Sequence, residues 1–172
     1  MNTFQRTIAT SFSSYQFAQL SKLSLYNALK LRSDVFVVEQ NCIYPDLDDK
    51  DIHSDTLHLL VETTSDPLFN DETKSVTKVI AYARCLAPGM SYQGPSIGRV
   101  AVALSERGHG LARKVMLEAI NICKQHWPEE TIQIGAQVYL QTFYTRLGFT
   151  PFSEPYDEDG IMHIDMQLPT KQ

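Results

Sequence analysis

Apolar positions along this 172-residue chain follow two periods, and the switches between them outline the elements. Leu57, Leu59 and Val61 alternate with His58, Leu60 and Glu62, which predicts a strand. Val79, Ala81, Ala83 and Cys85 alternate with Ile80, Tyr82, Arg84 and Leu86 in the next one, and the β-branched run Ile97–Val102 makes a third. At Ala112 the spacing changes. Ala112, Val115, Met116, Ala119, Ile120 and Cys123 recur at steps of three and four, an amphipathic helix ended by Trp127 and Pro128. An earlier stripe, Leu25, Ala28, Leu29, Val35 and Phe36, predicts a helix over 22–39 capped by Ser21 or Ser24, with Arg32 and Glu39 on the same stripe.

The remaining segments are shorter. Residues 1–11 read as a loose polar tail, 12–18 as a first strand, 64–75 as a long hairpin loop and 87–96 as a Pro/Gly turn. A strand over 131–136, a short helix over 139–146 and two closing strands follow. Strands before, between and after helices predict one α/β domain over 1–172 built on a mixed central sheet.

Composition narrows the function classes. A net charge of −5 argues against nonspecific nucleic-acid binding, which rests on phosphate neutralisation. No apolar run approaches the roughly 20 residues of a membrane span, and no signal-type core follows the N-terminus. Cys42, Cys85 and Cys123 show neither pairing pattern nor metal spacing, so reduced thiols in the cytoplasm are expected. The acidic run 46–55 superficially resembles a calcium loop. Lys50, Asp51 and Leu57 occupy the positions where an oxygen ligand, a glycine and the final glutamate belong, so no metal is expected.

The candidate chemistry begins where the strand at Ile97–Val102 runs into Arg107-Gly108-His109-Gly110-Leu111-Ala112 and then a helix. A helix N-terminus presents unpaired N–H groups and partial positive charge, and the two glycines let an anion approach the backbone. Arg107, Arg113 and Lys114 concentrate cations there although they oppose the helix dipole, an arrangement that an anion in the turn relieves.

These residues resemble motif A of the GNAT N-acetyltransferases, Arg/Gln-x-x-Gly-x-Gly/Ala, read here as Arg107-x-x-Gly110-x-Ala112. Gln137 to Phe149, with Phe143-Tyr144-x-x-x-Gly148-Phe149, resembles motif B of the same family. The pieces Val35–Cys42, Tyr82-Ala83-Arg84, Gly135-Ala136-Gln137 and Tyr156–Ile161 are most similar to its ElaA-like branch, and the resemblance spans about 17–168. It implies a sheet of about six or seven strands flanked by about four helices. It also implies acetyl-coenzyme A as co-substrate, with its diphosphate on the amides of Arg107, Gly108, His109, Gly110, Leu111 and Ala112. The pantetheine arm would pair with Val100, Ala101 and Val102, with Gln137 and Phe143 nearby. Where many members carry Asn, this chain has Gln137. Dimers are common in the family, so a homodimer is compatible.

Direct transfer to an amine needs a neutral nucleophile, oxyanion stabilisation and a proton for the leaving thiolate. The resemblance implies a backbone N–H on the Val100–Val102 strand for the oxyanion. It makes Tyr144 the proton donor, or else an aromatic that packs on the coenzyme. Glu39 is the candidate base if burial raises its pKa, the alternatives being an ion pair with Arg32 or Arg84 or a solvated helix end. His58 and His163 are further candidates or hydrogen-bonded structural histidines. Arg84 either grips a substrate carboxylate or forms a structural salt bridge. The acidic segments 46–55 and 154–159 would steer a cationic amine, or are simply solvated.

The function implied is acetyl transfer to a small-molecule or peptide amine. A non-catalytic coenzyme A sensor on the same fold is the alternative. An acyl-homoserine-lactone synthase matches Arg32-x-x-Val35-Phe36 but lacks the tryptophan expected further along. A nicotinamide dehydrogenase fails because Arg113 stands at the third glycine position.

Overall fold

A computed structural model describes residues 9–41, 43–65 and 76–170. Eight strands form one sheet: β1 Ala9–Tyr15, β2 Leu57–Ser65, β3 Val76–Leu86, β4 Ser96–Val102, β5 Ile132–Gln137, β6 Thr150–Pro151, β7 Tyr156–Glu158 and β8 Ile161–Leu168. Three α-helices join them: α1 Lys22–Arg32, α2 Leu111–His126 and α3 Gln141–Thr145. The sheet order is β1-β2-β3-β4-β5-β8-β6, with β7 on β8. The expected mixed α/β architecture is present, with one more strand and one helix fewer among the described residues than the expected ranges. The first strand starts at Ala9, inside the expected tail, and ends at Tyr15; residues 1–8, Cys42 and most of the expected 64–75 loop lie outside the described residues.

Alternation in the sequence becomes two differently covered faces. Ala81, Ala83 and Cys85 of β3, with Ile132, Ile134 and Ala136 of β5, pack under α2 through Val115, Met116, Ala119, Ile120 and Cys123. On the other face Leu60, Tyr82 and Ala101 meet Ala28, Leu31 and Val35. Phe149, fully buried, closes the core below α3; burial of such a side chain stabilises by roughly 1.5–3 kcal/mol.

Ser21 caps α1, its Oγ accepting from Ser24 N–H at 3.0 Å. The helix does not stop at Arg32 but widens into a π-helical segment over Ser33–Glu39, closed by Gln40 N–H to Val35 O at 3.1 Å. The wider turn breaks the 3.6-residue phase. Arg32 is therefore buried while Glu39, which an ideal helix would stack on the same stripe, faces solvent.

Two irregularities open the sheet centre. In β4, two residues, Arg99 and Val100, stand opposite the single Ala83 between the pairs Arg84–Gly98 and Tyr82–Ala101, a one-residue bulge in which Arg99 takes the left-handed φ of 54°. Beyond this bulge β4 and β5 diverge: their parallel pairing is confined to Ser96 opposite Gln133. The β5 side of Val100–Val102 thus has no strand partner.

Candidate active site

A cavity of about 650 Å³ lies along the divergence of β4 and β5, a size suited to a small-molecule ligand. Gly98, Arg99 and Val100 line it from β4, Gly135 and Gln137 from β5, Tyr144 from α3, and Glu158, Asp159 and His163 from the β7–β8 hairpin.

β4 leads on through residues 103–110 to the start of α2, none of which lines the cavity. Gly108 and Gly110 have φ of 84° and 76°, the left-handed region that a side chain resists. Gly110 is the N-cap and offers no side-chain acceptor. Among the described residues, the N–H groups of Gly110, Leu111, Ala112 and Arg113 meet no acceptor; the first paired amide is Lys114 N–H on Gly110 O, 3.3 Å. Arg113 and Lys114 are exposed there, with no acidic residue in the turn.

The expected set of amides is shifted. Arg107 N–H is taken by Leu104 O at 3.4 Å, so it does not belong to the donor group, and Arg113 N–H joins it. The Arg107 side chain is also committed: Nε donates to Val102 O at 2.9 Å and both Nη atoms donate to Glu39, at 2.6 and 2.8 Å. Sequence spacing could not reveal this, because the partner lies sixty-eight positions away.

Glu39 corrects a second expectation. Its carboxylate is 42% exposed, and the Arg107 hydrogen bond holds its pKa below the usual range against a small opposing effect of burial. It does not line the cavity. The ion-pair alternative is realised, but with Arg107 rather than Arg32 or Arg84.

Those two arginines belong to a buried network with the acidic loop. Arg32 donates from Nε to Asp46 Oδ2 at 3.0 Å and from Nη1 to Asp51 Oδ1 at 2.8 Å. Arg84 Nη1 reaches Asp48 Oδ1 at 2.6 Å and Asp51 Oδ1 at 2.7 Å, and Arg99 Nε stands 2.8 Å from Asp46 Oδ1. Three guanidinium groups thus neutralise three carboxylates. The fork of Arg84 is occupied, so the salt-bridge reading holds and a free grip on a substrate carboxylate does not. Its Nε is the sole buried side-chain N or O atom without a partner among the described residues. Asp46, Asp48 and Asp51 are likewise consumed, which removes most of the expected steering charge of 46–55; Glu158 and Asp159 keep theirs at the cavity.

Tyr144 is 9% exposed, packs edge-on against Phe143 and Phe149, and lines the cavity. Its hydroxyl has no hydrogen-bond partner among the described residues, and burial, aided by Tyr139, pushes its pKa up to about 12. The Gln137 side-chain amide accepts from Tyr139 and donates to Gln40 at 3.3 Å. Phe143 is half-buried against the core beside Tyr144. His58 is closed off: its Nε2 donates to Asp51 O at 2.9 Å and its Nδ1 accepts from Tyr82 at 2.7 Å. Burial lowers its pKa, so it is neutral and structural. The described cysteines, Cys85 and Cys123, are buried free thiols in the core. No group of metal-ligating side chains occurs among the described residues.

The glycine turn, the divergent strands and the tyrosine lie in the order in which motifs A and B stand in the chain. Residues 72–170 match the acetyltransferase (GNAT) domain family. The chain belongs to the GNAT acetyltransferases. It is 41% identical over 149 residues to the protein ElaA of Escherichia coli K12, covering 87% of this chain and 90% of ElaA. The crystal structure of E. coli ElaA superposes with a TM-score of 0.79 at 37% identity, covering 93% of this chain and 99% of that one. An acyl-CoA N-acyltransferase from Pseudomonas aeruginosa superposes at 0.80 with 34% identity and the same coverage. A coenzyme A-dependent acyl-homoserine lactone synthase, BjaI, shares the fold alone, with a TM-score of 0.69 at 16% identity over 95% of this chain and 85% of its own. Among the described residues no helix of this GNAT protein is long and apolar enough to cross a membrane.

Proposed function

We propose that this GNAT protein transfers an acetyl group from acetyl-coenzyme A to a primary amine, which attacks the thioester directly. The observation that carries the reading is the start of α2. Four amides without acceptors, from Gly110 to Arg113, stand at a left-handed glycine turn whose helix begins with Arg113 and Lys114 in its first turn, and β4 before it has no β5 partner at Val100–Val102. A diphosphate satisfies such donors and relieves the local excess of positive charge. Gly108, His109, Gly110, Leu111 and Ala112 form its cradle in this reading, and Arg113 adds its amide.

From the cradle the pantetheine arm runs along the unpaired side of Val100, Ala101 and Val102 as an added strand. Gln137 and Phe143 flank it. A backbone N–H of β4 meets the carbonyl oxygen as negative charge develops there. Tyr144, protonated at neutral pH, gives its proton to the departing thiolate. The acceptor, a small-molecule or peptide amine, enters between loop 44–52 and the β7–β8 hairpin. The two free core thiols support residence in the reducing cytoplasm.

The test is Gly110→Glu titrated with coenzyme A by calorimetry. A Cβ at Gly110 meets no atom within 4 Å, so the fold bears only the left-handed strain of about 1–2 kcal/mol. Loss of binding is expected, and wild-type affinity would overturn the diphosphate site. Thiol release from acetyl-coenzyme A across a panel of primary amines separates an enzyme from a silent coenzyme sensor.

A further inference from the structure

The reaction needs a proton acceptor for the amine, and the geometry points to His163: we propose that its Nε2 takes that proton. The inference rests on the acyl-transfer reading above. His163 lies on β8, opposite Gln137 of β5 and Tyr156 of β7. Its ring stacks on Tyr156 with centroids 6.1 Å apart, which holds its plane. Nδ1 lies 2.9 Å from Ile161 O. A carbonyl only accepts, so Nδ1 carries a hydrogen and the neutral ring has its lone pair on Nε2.

Nε2 has no hydrogen-bond partner among the described residues, yet it is not a buried orphan, and the residue lines the cavity. It is therefore an accessible nitrogen on a residue that lines that space. His58 is the contrast: both of its nitrogens are engaged and it lies buried. Of the five histidines, His163 alone lines the cavity. Glu39, the other candidate base, lies outside it and is committed to Arg107.

The surroundings suit the task. Glu158 Oε2 stands 3.7 Å from Nδ1, the edge of the ring away from Nε2, and offsets the imidazolium that forms. Asp159 lines the cavity from the adjoining turn, and Asp165 of the same strand accepts from Tyr92 and Tyr156 at 2.7 and 2.9 Å. Gln137 brings no charge. On the far wall Asp48 offsets Arg84, Arg99 is held by Asp46, and Lys50 is turned to Ser91 Oγ at 2.8 Å. Tyr144 stands on the α3 side of the strand gap, whereas His163 and Gln137 rise from the opposite face of the sheet, away from the Ile134, Ala136 and Ile164 core.

The amine nitrogen loses one proton to Nε2, the N–C bond forms and the C–S bond breaks. The thiolate takes a proton from Tyr144, and the proton on His163 passes through solvent to restore the tyrosine. An acceptor that arrives as an ammonium ion first releases its extra proton to bulk water.

His163→Gln and Glu158→Gln test the proposal, with ethylenediamine, phenethylamine and a glycine-terminated peptide as acceptors and coenzyme A binding measured alongside. For His163→Gln we expect unchanged coenzyme A affinity and kcat/KM at neutral pH lower by roughly 10²–10⁴-fold. The deficit should persist as pH rises, because the free amine is gained equally by both proteins. Glu158→Gln should lower kcat/KM at neutral pH by less than His163→Gln does, because it removes only the charge that offsets the imidazolium. Nitrogen-15 NMR of the whole chain should find the neutral His163 ring with a protonated Nδ1 and a bare Nε2. A wild-type pH profile in His163→Gln, or a hydrogen on Nε2 in the neutral ring, would overturn the base while leaving the acyl-transfer reading intact. Failure of the wild-type chain to bind coenzyme A would overturn both.

Discussion

Arg107 lies in a two-pronged pair with Glu39, Nη1 to Oε1 at 2.6 Å and Nη2 to Oε2 at 2.8 Å, and this contact ties the end of the π-helical segment to the turn before α2. Both partners are more than a third exposed or close to it, so water and salt screen the pair and it stabilises by at most about 1 kcal/mol. Its main effect is positional, since Arg107 Nε also holds Val102 O.

Glu39→Gln should therefore lower turnover by less than about tenfold, far short of the loss of a general base. Thiol-release assays check this. The hydrogen bond from Arg107 depresses the Glu39 pKa. Its stabilising effect is fully present above the ordinary glutamate range and is lost progressively as pH falls from there through the depressed value.

Tyr144→Phe removes only the hydroxyl, and the ring keeps its packing against Phe143 and Phe149. Turnover should drop by roughly 10²-fold or more, with coenzyme A affinity unchanged. Equal turnover in the two proteins would return Tyr144 to a packing role.

Asp51 bridges Arg32 and Arg84 in a buried setting. Burial alone would raise its pKa, but the hydrogen bonds and charge of Arg32, with Arg84, outweigh this and hold it below the usual carboxylate range. Asp51→Asn leaves buried guanidinium charge without its partner and should destabilise by about 3–5 kcal/mol, measured by urea unfolding. The wild-type chain should hold this contribution above the unfolded-state pKa of about 4 and lose it as pH falls through the depressed folded value. The variant should lack that part of the acid dependence. A urea midpoint within error of wild type would refute the bridging role.

Gly94 and Gly98 make a paired control. A Cβ at Gly94 would stand 2.0 Å from Thr131 O, a backbone atom with no freedom to withdraw, whereas one at Gly98 meets nothing within 4 Å. Gly94→Ala should cost several kcal/mol and Gly98→Ala under about 1 kcal/mol. Thermal unfolding of the two variants, read side by side, should separate them clearly; similar melting points would contradict the close approach.

Much of the scaffold was legible because its determinants are local. The steps of three and four from Ala112 to Cys123 produced α2, and the alternation in Leu57–Val61 and Val79–Leu86 produced paired strands with two distinct faces. Ser21 proved the cap because its oxygen reaches an amide three residues on. The π-helical turn is not legible in the sequence because a 3.6-residue template carries the phase of Arg32 straight on to Glu39, and one wide turn breaks it. The very short β6 and β7 were also hard to foresee, since two or three residues carry no period.

By itself the sequence determined the strand-turn-helix at Gly108–Ala112, the amphipathic face of α2 and the order of the two motifs, because torsional freedom and periodicity act between neighbours in the chain. Only the tertiary structure decided which charge meets which. Arg32 found Asp46 and Asp51, Arg84 found Asp48 and Asp51, Arg99 found Asp46, and Arg107 found Glu39, across separations of fourteen to sixty-eight residues. Electrostatic partnership depends on distance in space and on the water excluded around it, and neither is set until the sheet has closed and the loops have been laid across it.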